Sequence, residues 1–152
     1  MSVIKEVQDK LGSTVAVKFC DTVAQAPSEL MSLFYKTMAE LVDKGYGSPG
    51  ITIHNKCKAV YVEINGKIVG HIIFDLRHDL LRSWIVLSAV DPEYRRRGLY
   101  KILHAEYEAV SAKLGMVEIG SFIHINNAAR LKSAESMGYF PSHYLMRKNI
   151  KN

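Results

Sequence analysis

Val90-Asp-Pro-Glu-Tyr-Arg-Arg-Arg-Gly-Leu-Tyr-Lys101 lies between two apolar patterns of different period. On its left, Trp84-Ile-Val-Leu-Ser-Ala-Val90 reads as a buried strand, which Pro92 ends because proline has no amide to give a ladder. On its right, Leu99, Ile102, Leu103, Ala109 and Val110 recur at helical spacing between Gly98 and Leu114, and Gly115 stops them. Gly98 lets the backbone turn tightly and come close to a ligand where a Cβ would obstruct it. The free amides of the first helical turn and the positive end of the helix dipole then make an anion site. Arg95, Arg96, Arg97 and Lys101 add charge and forked hydrogen bonds, so the segment calls for a phosphate or pyrophosphate. A solvated basic face, or an electrostatic contact to nucleic acid, explains three arginines by themselves but not the strand, proline, glycine and helix around them.

Downstream, Met116 to Ile125 reads as another strand, which makes strand, helix and strand a right-handed crossover. Ligands in such sheets sit where strand carboxyl ends meet helix starts. A short helix from Ala128 to Met137 and a last strand from Ser142 to Lys148 complete this half. Upstream, Ala59 to Ile64 and Lys67 to Phe74 flank Asn65-Gly66, the pair that best tolerates positive φ at both corners of a hairpin turn. With the strand at Trp84 they form an antiparallel meander. Leu30, Leu33, Phe34, Met38, Leu41 and Val42 mark an amphipathic helix over Ser28 to Lys44, and Gly45-Tyr-Gly-Ser-Pro-Gly50 is the turn-rich loop after it. Thr14 to Cys20 alternates as a strand. Val3, Val7 and Leu11 fall on one helical face before Gly12, which predicts a first helix. The fold class is α/β with a mixed sheet.

The 152 residues carry twenty Lys and Arg against fifteen Asp and Glu, a formal charge of +5, and 48% are hydrophobic. This excludes the disordered class, which needs low hydrophobicity together with high charge. The apolar runs are too short for a membrane span, and residues 1–152 read as one domain. The start has no signal-peptide core, so the expected compartment is the cytoplasm. Cys20 and Cys57 read as two small buried hydrophobes, and no metal is expected.

The loop resembles that of the GNAT superfamily of N-acetyltransferases, whose diphosphate-binding pattern is Arg or Gln, two residues, Gly, one residue, Gly or Ala. Arg95-Arg-Arg-Gly98-Leu-Tyr100 matches it except at the last position. The likeness runs from about Val60 to Lys148, through the Asn65-Gly66 hairpin, the Leu87-Ser-Ala-Val-Asp-Pro-Glu-Tyr run and Asn126-Asn-Ala-Ala to Met137-Gly-Tyr139. The N-terminal part fits only in having a strand followed by a helix. The resemblance implies a mostly antiparallel sheet with one splayed parallel pair and helices on both faces. It implies direct acetyl transfer from acetyl-CoA to a primary amine, on a small molecule, a peptide or a protein N-terminus or lysine. It also implies the site: Ser88, Ala89 and Val90 offer backbone groups to the pantetheine arm. Arg95, Arg96, Arg97, Gly98, Leu99, Tyr100 and Lys101 form the pyrophosphate loop. Asn127 contacts the cofactor arm, with Asn126 its one-residue-slipped alternative, and a helix-capping role for Asn127 is compatible with this.

The family's usual proton carriers are absent. Trp84 and Phe122 stand where a catalytic Glu is common, and Ala134 stands where a Tyr often protonates the leaving thiolate. His124 is the replacement base proposed from its place near a strand end and its useful titration range, and Ser133 is a second candidate. Glu63, His71 and Tyr139 have duller explanations as a solvent-facing strand residue, a sheet histidine and a core aromatic. The alternative function is a non-catalytic acyl-CoA-binding module with a regulatory role. Nucleic-acid binding is disfavoured, because the arginines lack interleaved aromatics and a reading motif. A homodimer stays open.

Overall fold

The computed structural model describes residues 3–47 and 53–150. Six strands follow chain order across one sheet: β1 (Val3–Gln8), β2 (Thr14–Cys20), β3 (Lys58–Ile64), β4 (Lys67–Arg77), β5 (Arg82–Val90) and β6 (Glu118–Ser121). The first five pair antiparallel, and β5 with β6 is parallel. Among the described residues three α-helices accompany them: α1 (Ser28–Asp43), α2 (Leu99–Lys113) and α3 (Ala128–Ser136).

Strand alternation sends successive side chains to opposite faces, and both faces are apolar. Val60, Val62, Val69, Ile72 and Phe74 pack with Leu99, Leu103 and Tyr107 of α2. Ala59, Tyr61, Ile73, Leu87 and Ala89 pack with Leu30, Leu33 and Phe34 of α1. The β3–β4 hairpin turns at Asn65 and Gly66 with φ of 51° and 77°, as the pair predicts. Both cysteines are buried and free.

The N-terminal segment is a strand, not a helix. Its helical spacing of four is outweighed by the open edge of β2, which pairs with it from Lys5↔Val17 to Gln8↔Thr14 around a turn at residues 9–13. β6 covers four residues of the expected ten. Ser142 to Lys148 forms no strand, and Tyr144, Leu145 and Met146 stand exposed. In α2, Ala109 is exposed, while His104, Glu106, Tyr107 and Ser111 join Leu99 and Leu103 on the buried face. The expected Gly45–Gly50 loop runs into residues 48–52, which lie outside the described residues.

Candidate active site between β5, α1 and α3

The opening in the sheet has a local cause. Ile73 faces Leu87 and Phe74 faces Ile85, so Val86 is an extra residue bulged out of β5. A bulge bends its strand and strengthens its twist. The parallel pairing of β5 with β6 runs from Arg82↔Glu118 to Ile85↔Ser121 and ends at this bulge. Before the strands part, Gly120 lies under the Trp84 indole, where a Cβ would come within 2.7 Å of the ring. Beyond it, Ser88, Ala89 and Val90 line a cavity of about 400 Å³.

The cavity's other walls come from α1 and α3. Thr37, Glu40, Leu41 and Lys44 lie on one side, and Asn127, Ala129, Arg130 and Ser133 on the other, with Arg95 and Tyr100 between. Its lining thus carries three cations, Lys44, Arg95 and Arg130, and one carboxylate, Glu40. Arg95 donates from Nε to the Val90 carbonyl at 3.1 Å and from Nη2 to Glu40 Oε2 at 3.0 Å. The other Glu40 oxygen and the Thr37 hydroxyl are buried without hydrogen-bond partners. Such groups are costly unless something polar meets them, so this wall offers two oxygen atoms to a polar group entering the cavity. The Arg130 guanidinium stacks over the Tyr100 ring at 4.8 Å, and its Nη1 is also buried and unpartnered. The Tyr100 hydroxyl is buried beside Ser88 and Arg130, and desolvation raises its pKa against the Arg130 charge and the hydrogen bonding to those two side chains.

The loop entering α2 is held from outside. Arg96 and Gly98 have φ of 64° and 78°, so the backbone enters the left-handed region twice within three residues just before α2. Gly98 is the N-cap of α2 and supplies no side-chain cap, so the first-turn amides stay available. The Lys10 amide of the β1–β2 turn donates to the Arg97 carbonyl at 3.0 Å. Asp9 accepts from the Leu11 and Ser13 amides at 2.9 Å each, and its second oxygen lies 3.5 Å from Arg97 Nη1. Desolvation raises the Asp9 pKa, but the hydrogen bonds from Ser13 and Leu11 and the Arg97 charge outweigh it, so the carboxyl sits below its ordinary value. Arg97 also lies over the Tyr94 ring at 4.7 Å. Two of the three arginines are therefore occupied within the protein; among the described residues neither Arg96 nor Lys101 has an ion pair.

Of the residues named from sequence, the cavity brings together Ser88, Ala89, Val90, Arg95, Tyr100, Asn127 and Ser133. Asn127 caps α3 by accepting from the Arg130 amide at 3.2 Å. His124 is not among the lining residues: its Nδ1 accepts from the Asn126 amide at 3.1 Å, and its ring lies 5.7 Å from that of Tyr46. Glu63 pairs with Lys18 at 2.9 Å. His71 is fully buried against Phe34 with its pKa pushed down to about 3 by desolvation. Tyr139 shares a 2.7 Å hydrogen bond with His104 of α2. Thr37, Glu40, Lys44 and Arg130 were missed. The available signal was polar residues recurring on the inward stripe of α1, where Thr37 is buried among Leu30, Leu33 and Phe34.

A sequence model described as the acetyltransferase (GNAT) family matches residues 25–139. The chain belongs to this family and is an N-acetyltransferase. Among curated proteins, none matches the sequence. Solved structures agree in fold. Aminoglycoside N-acetyltransferase AAC(6')-Iy in complex with CoA superposes with a TM-score of 0.69 at 17% identity, covering 93% of this chain and 97% of the other. The aminoglycoside acetyltransferase meta-AAC0020 from a soil metagenomic sample, in complex with sisomicin, gives 0.68 at 16% identity over 91% and 96%. The ribosomal-protein-alanine N-acetyltransferase of Brucella melitensis biovar Abortus 2308 gives 0.63 at 15% identity over 89% and 99%.

Proposed function

We propose that the protein transfers acetyl directly from acetyl-CoA to a primary amine in the cavity between β5, α1 and α3. The single observation that carries this is the juxtaposition of a cation-rich wall, a free helix start and one half-satisfied carboxylate around the splayed end of β5. The diphosphate rests on the amides of Gly98, Leu99, Tyr100 and Lys101, with Arg95, Arg96 and Arg97 adding charge. The pantetheine arm runs along the Ser88–Val90 backbone towards Asn127.

The acetyl acceptor arrives as an ammonium and must lose a proton before attack. Glu40 fits the receiving role, since it is the carboxylate in the cavity and one oxygen has no partner. Its other oxygen holds Arg95. Binding then exchanges partners: the diphosphate takes Arg95 and the ammonium takes Glu40. We assign Ser133 to the thioester end of the cavity. His124, placed beside Tyr46, is left as a proton acceptor acting through water. Fixing a thioester against an amine supplies much of the acceleration by itself.

Thiol release from acetyl-CoA, followed over a panel of amines and peptide N-termini with mass detection of the acceptor, tests this reading. Release tied to a modified acceptor is expected. Binding of acetyl-CoA without turnover on any acceptor would leave the regulatory acyl-CoA module as the function, and absence of binding would remove both.

A further inference from the structure

Away from the cavity, one group of side chains among the described residues has the composition of a metal site: His54, Cys57 and Asp75. One donor atom from each lies within 4.8 Å of the other two. His54 Nε2 is 3.2 Å from Asp75 Oδ2. The chain brings them together by two means. His54-Asn-Lys-Cys57 turns back on itself, with the Cys57 amide donating to the His54 carbonyl at 3.0 Å. Asp75 then arrives through register, since Lys58, the residue after Cys57, pairs with Phe74, the residue before Asp75.

We infer that His54 Nε2, Cys57 Sγ and Asp75 Oδ2 form a three-ligand site for zinc(II), with its fourth position open to water. Zinc takes sulfur, imidazole and carboxylate donors tetrahedrally, and bonds of about 2.0–2.3 Å set those donors roughly 3.3–3.8 Å apart. From an observed spacing of up to 4.8 Å the donors need a contraction of at most about 1–1.5 Å, within the reach of side-chain rotation. Charge balances as well: a thiolate and a carboxylate offset the dication, and the imidazole binds neutral. Hard oxygen-seeking cations such as magnesium and calcium do not suit a thiolate. Cys57 is fully buried, whereas the His54 and Asp75 side chains are 44% and 32% exposed, so the metal has an inner anchor and an open approach.

Two protons move on binding. The Cys57 thiol loses its proton to solvent; burial and the Asp75 charge raise its pKa, the His54 backbone hydrogen bond opposes them, and the dication supplies the remaining drive. In the metal-free protein the Lys56 amide donates to His54 Nδ1 at 3.2 Å, so the neutral ring carries its proton on Nε2, facing Asp75. Metal at Nε2 moves that proton to Nδ1 and opens the Lys56 contact. The bound ion would clip the approach to β3 onto β4, next to the Val23 amide that holds the Cys57 carbonyl at 2.8 Å.

Cobalt(II) is the probe, added to the reduced, untagged full chain. At one equivalent we expect a thiolate-to-cobalt charge-transfer band with d–d bands of tetrahedral intensity, both bleached by zinc(II). Cys57→Ser should abolish the charge-transfer band, and Cys20→Ser should keep it. His54→Ala and Asp75→Asn, at partly exposed positions that tolerate change, should each weaken cobalt affinity at least tenfold. On the unaltered protein, nitrogen NMR of the His54 ring should show the proton moving from Nε2 to Nδ1 with zinc. No band at one equivalent, or a band that survives Cys57→Ser, or affinity unchanged in both His54→Ala and Asp75→Asn, overturns the assignment. None of these readouts depends on acetyl transfer.

Discussion

Gly98 offers the sharpest test of where the diphosphate binds. Its φ of 78° lies in the left-handed region, where an L-residue pays roughly 1–2 kcal/mol. An added Cβ would meet Lys10 Cε at 3.3 Å, the far part of a flexible side chain that can move aside. The cost of Gly98→Ala is thus mainly backbone strain. In the free protein the loop can relax to relieve it, while binding must restore the left-handed turn, so the penalty reappears in the affinity. One to two kcal/mol predicts a roughly 5- to 30-fold rise in the acetyl-CoA Kd by isothermal titration. Gly115 is a matched control, because it has φ of 87°, no atom within 4 Å of where a Cβ would stand, and a place at the opposite end of α2. Gly115→Ala should lower Tm by roughly 2–4 °C per kcal/mol and leave Kd unchanged. Gly98→Trp, which adds bulk to strain, should block binding outright. Equal Kd values for Gly98→Ala, Gly115→Ala and the unaltered protein would refute the placement of the diphosphate.

Glu40→Gln should raise KM for the amine by about tenfold or more, in keeping with the loss of a charge-assisted hydrogen bond. It should leave acetyl-CoA affinity equal or tighter, because Arg95 is released; weakened acetyl-CoA binding with unchanged amine KM would reverse the assignment. His71 is held neutral in the fold with a pKa near 3 against an ordinary value of 6.5. The unfolded chain therefore binds the extra proton below pH 6.5, and stability should fall by up to about 1.4 kcal/mol per pH unit between pH 6.5 and 3. His71→Leu should flatten Tm against pH across that window. Asp9 acts in the same direction but later: its carboxyl is depressed, so its contribution is present above the ordinary carboxylate range and is lost as pH falls below about 4. Asp9→Asn should remove that acid-side loss of stability, read as Tm at about pH 3.5 against about pH 7.

The parts of the fold legible in the sequence were those determined by local chemistry. Asn65-Gly66 can hardly be anything but a hairpin turn, and the Pro92-to-Gly98 stretch marks the end of one element and the start of another through residues that forbid continuation. The parts that were missed depend on distant partners. Val3 to Gln8 has a helical spacing that lost to the free edge of β2. The bulge at Val86 leaves no mark in composition, since Trp84-Ile-Val-Leu reads as unbroken strand, yet it opens the cavity. Glu40 and Thr37 come to the site only because α1 crosses β5, and Asp75 reaches His54 only through the register of β3 with β4. His124 illustrates the converse: its strand was expected to continue to the cleft, but β6 ends at Ser121 and the imidazole turns to Tyr46 and the Asn126 amide.

The hold of Lys10 and Asp9 on Arg97 has a consequence for how this protein can be altered. Both contacts come from the β1–β2 turn, ahead of the residues 25–139 that carry the family pattern. A chain shortened to that span would keep every letter of the Arg95–Gly98 loop while losing its buttress. Related chains can therefore differ in how firmly the loop is gripped without a single change inside it. The segment that looks most dispensable by comparison serves as an adjusting screw on the stiffness of the loop proposed to receive the diphosphate.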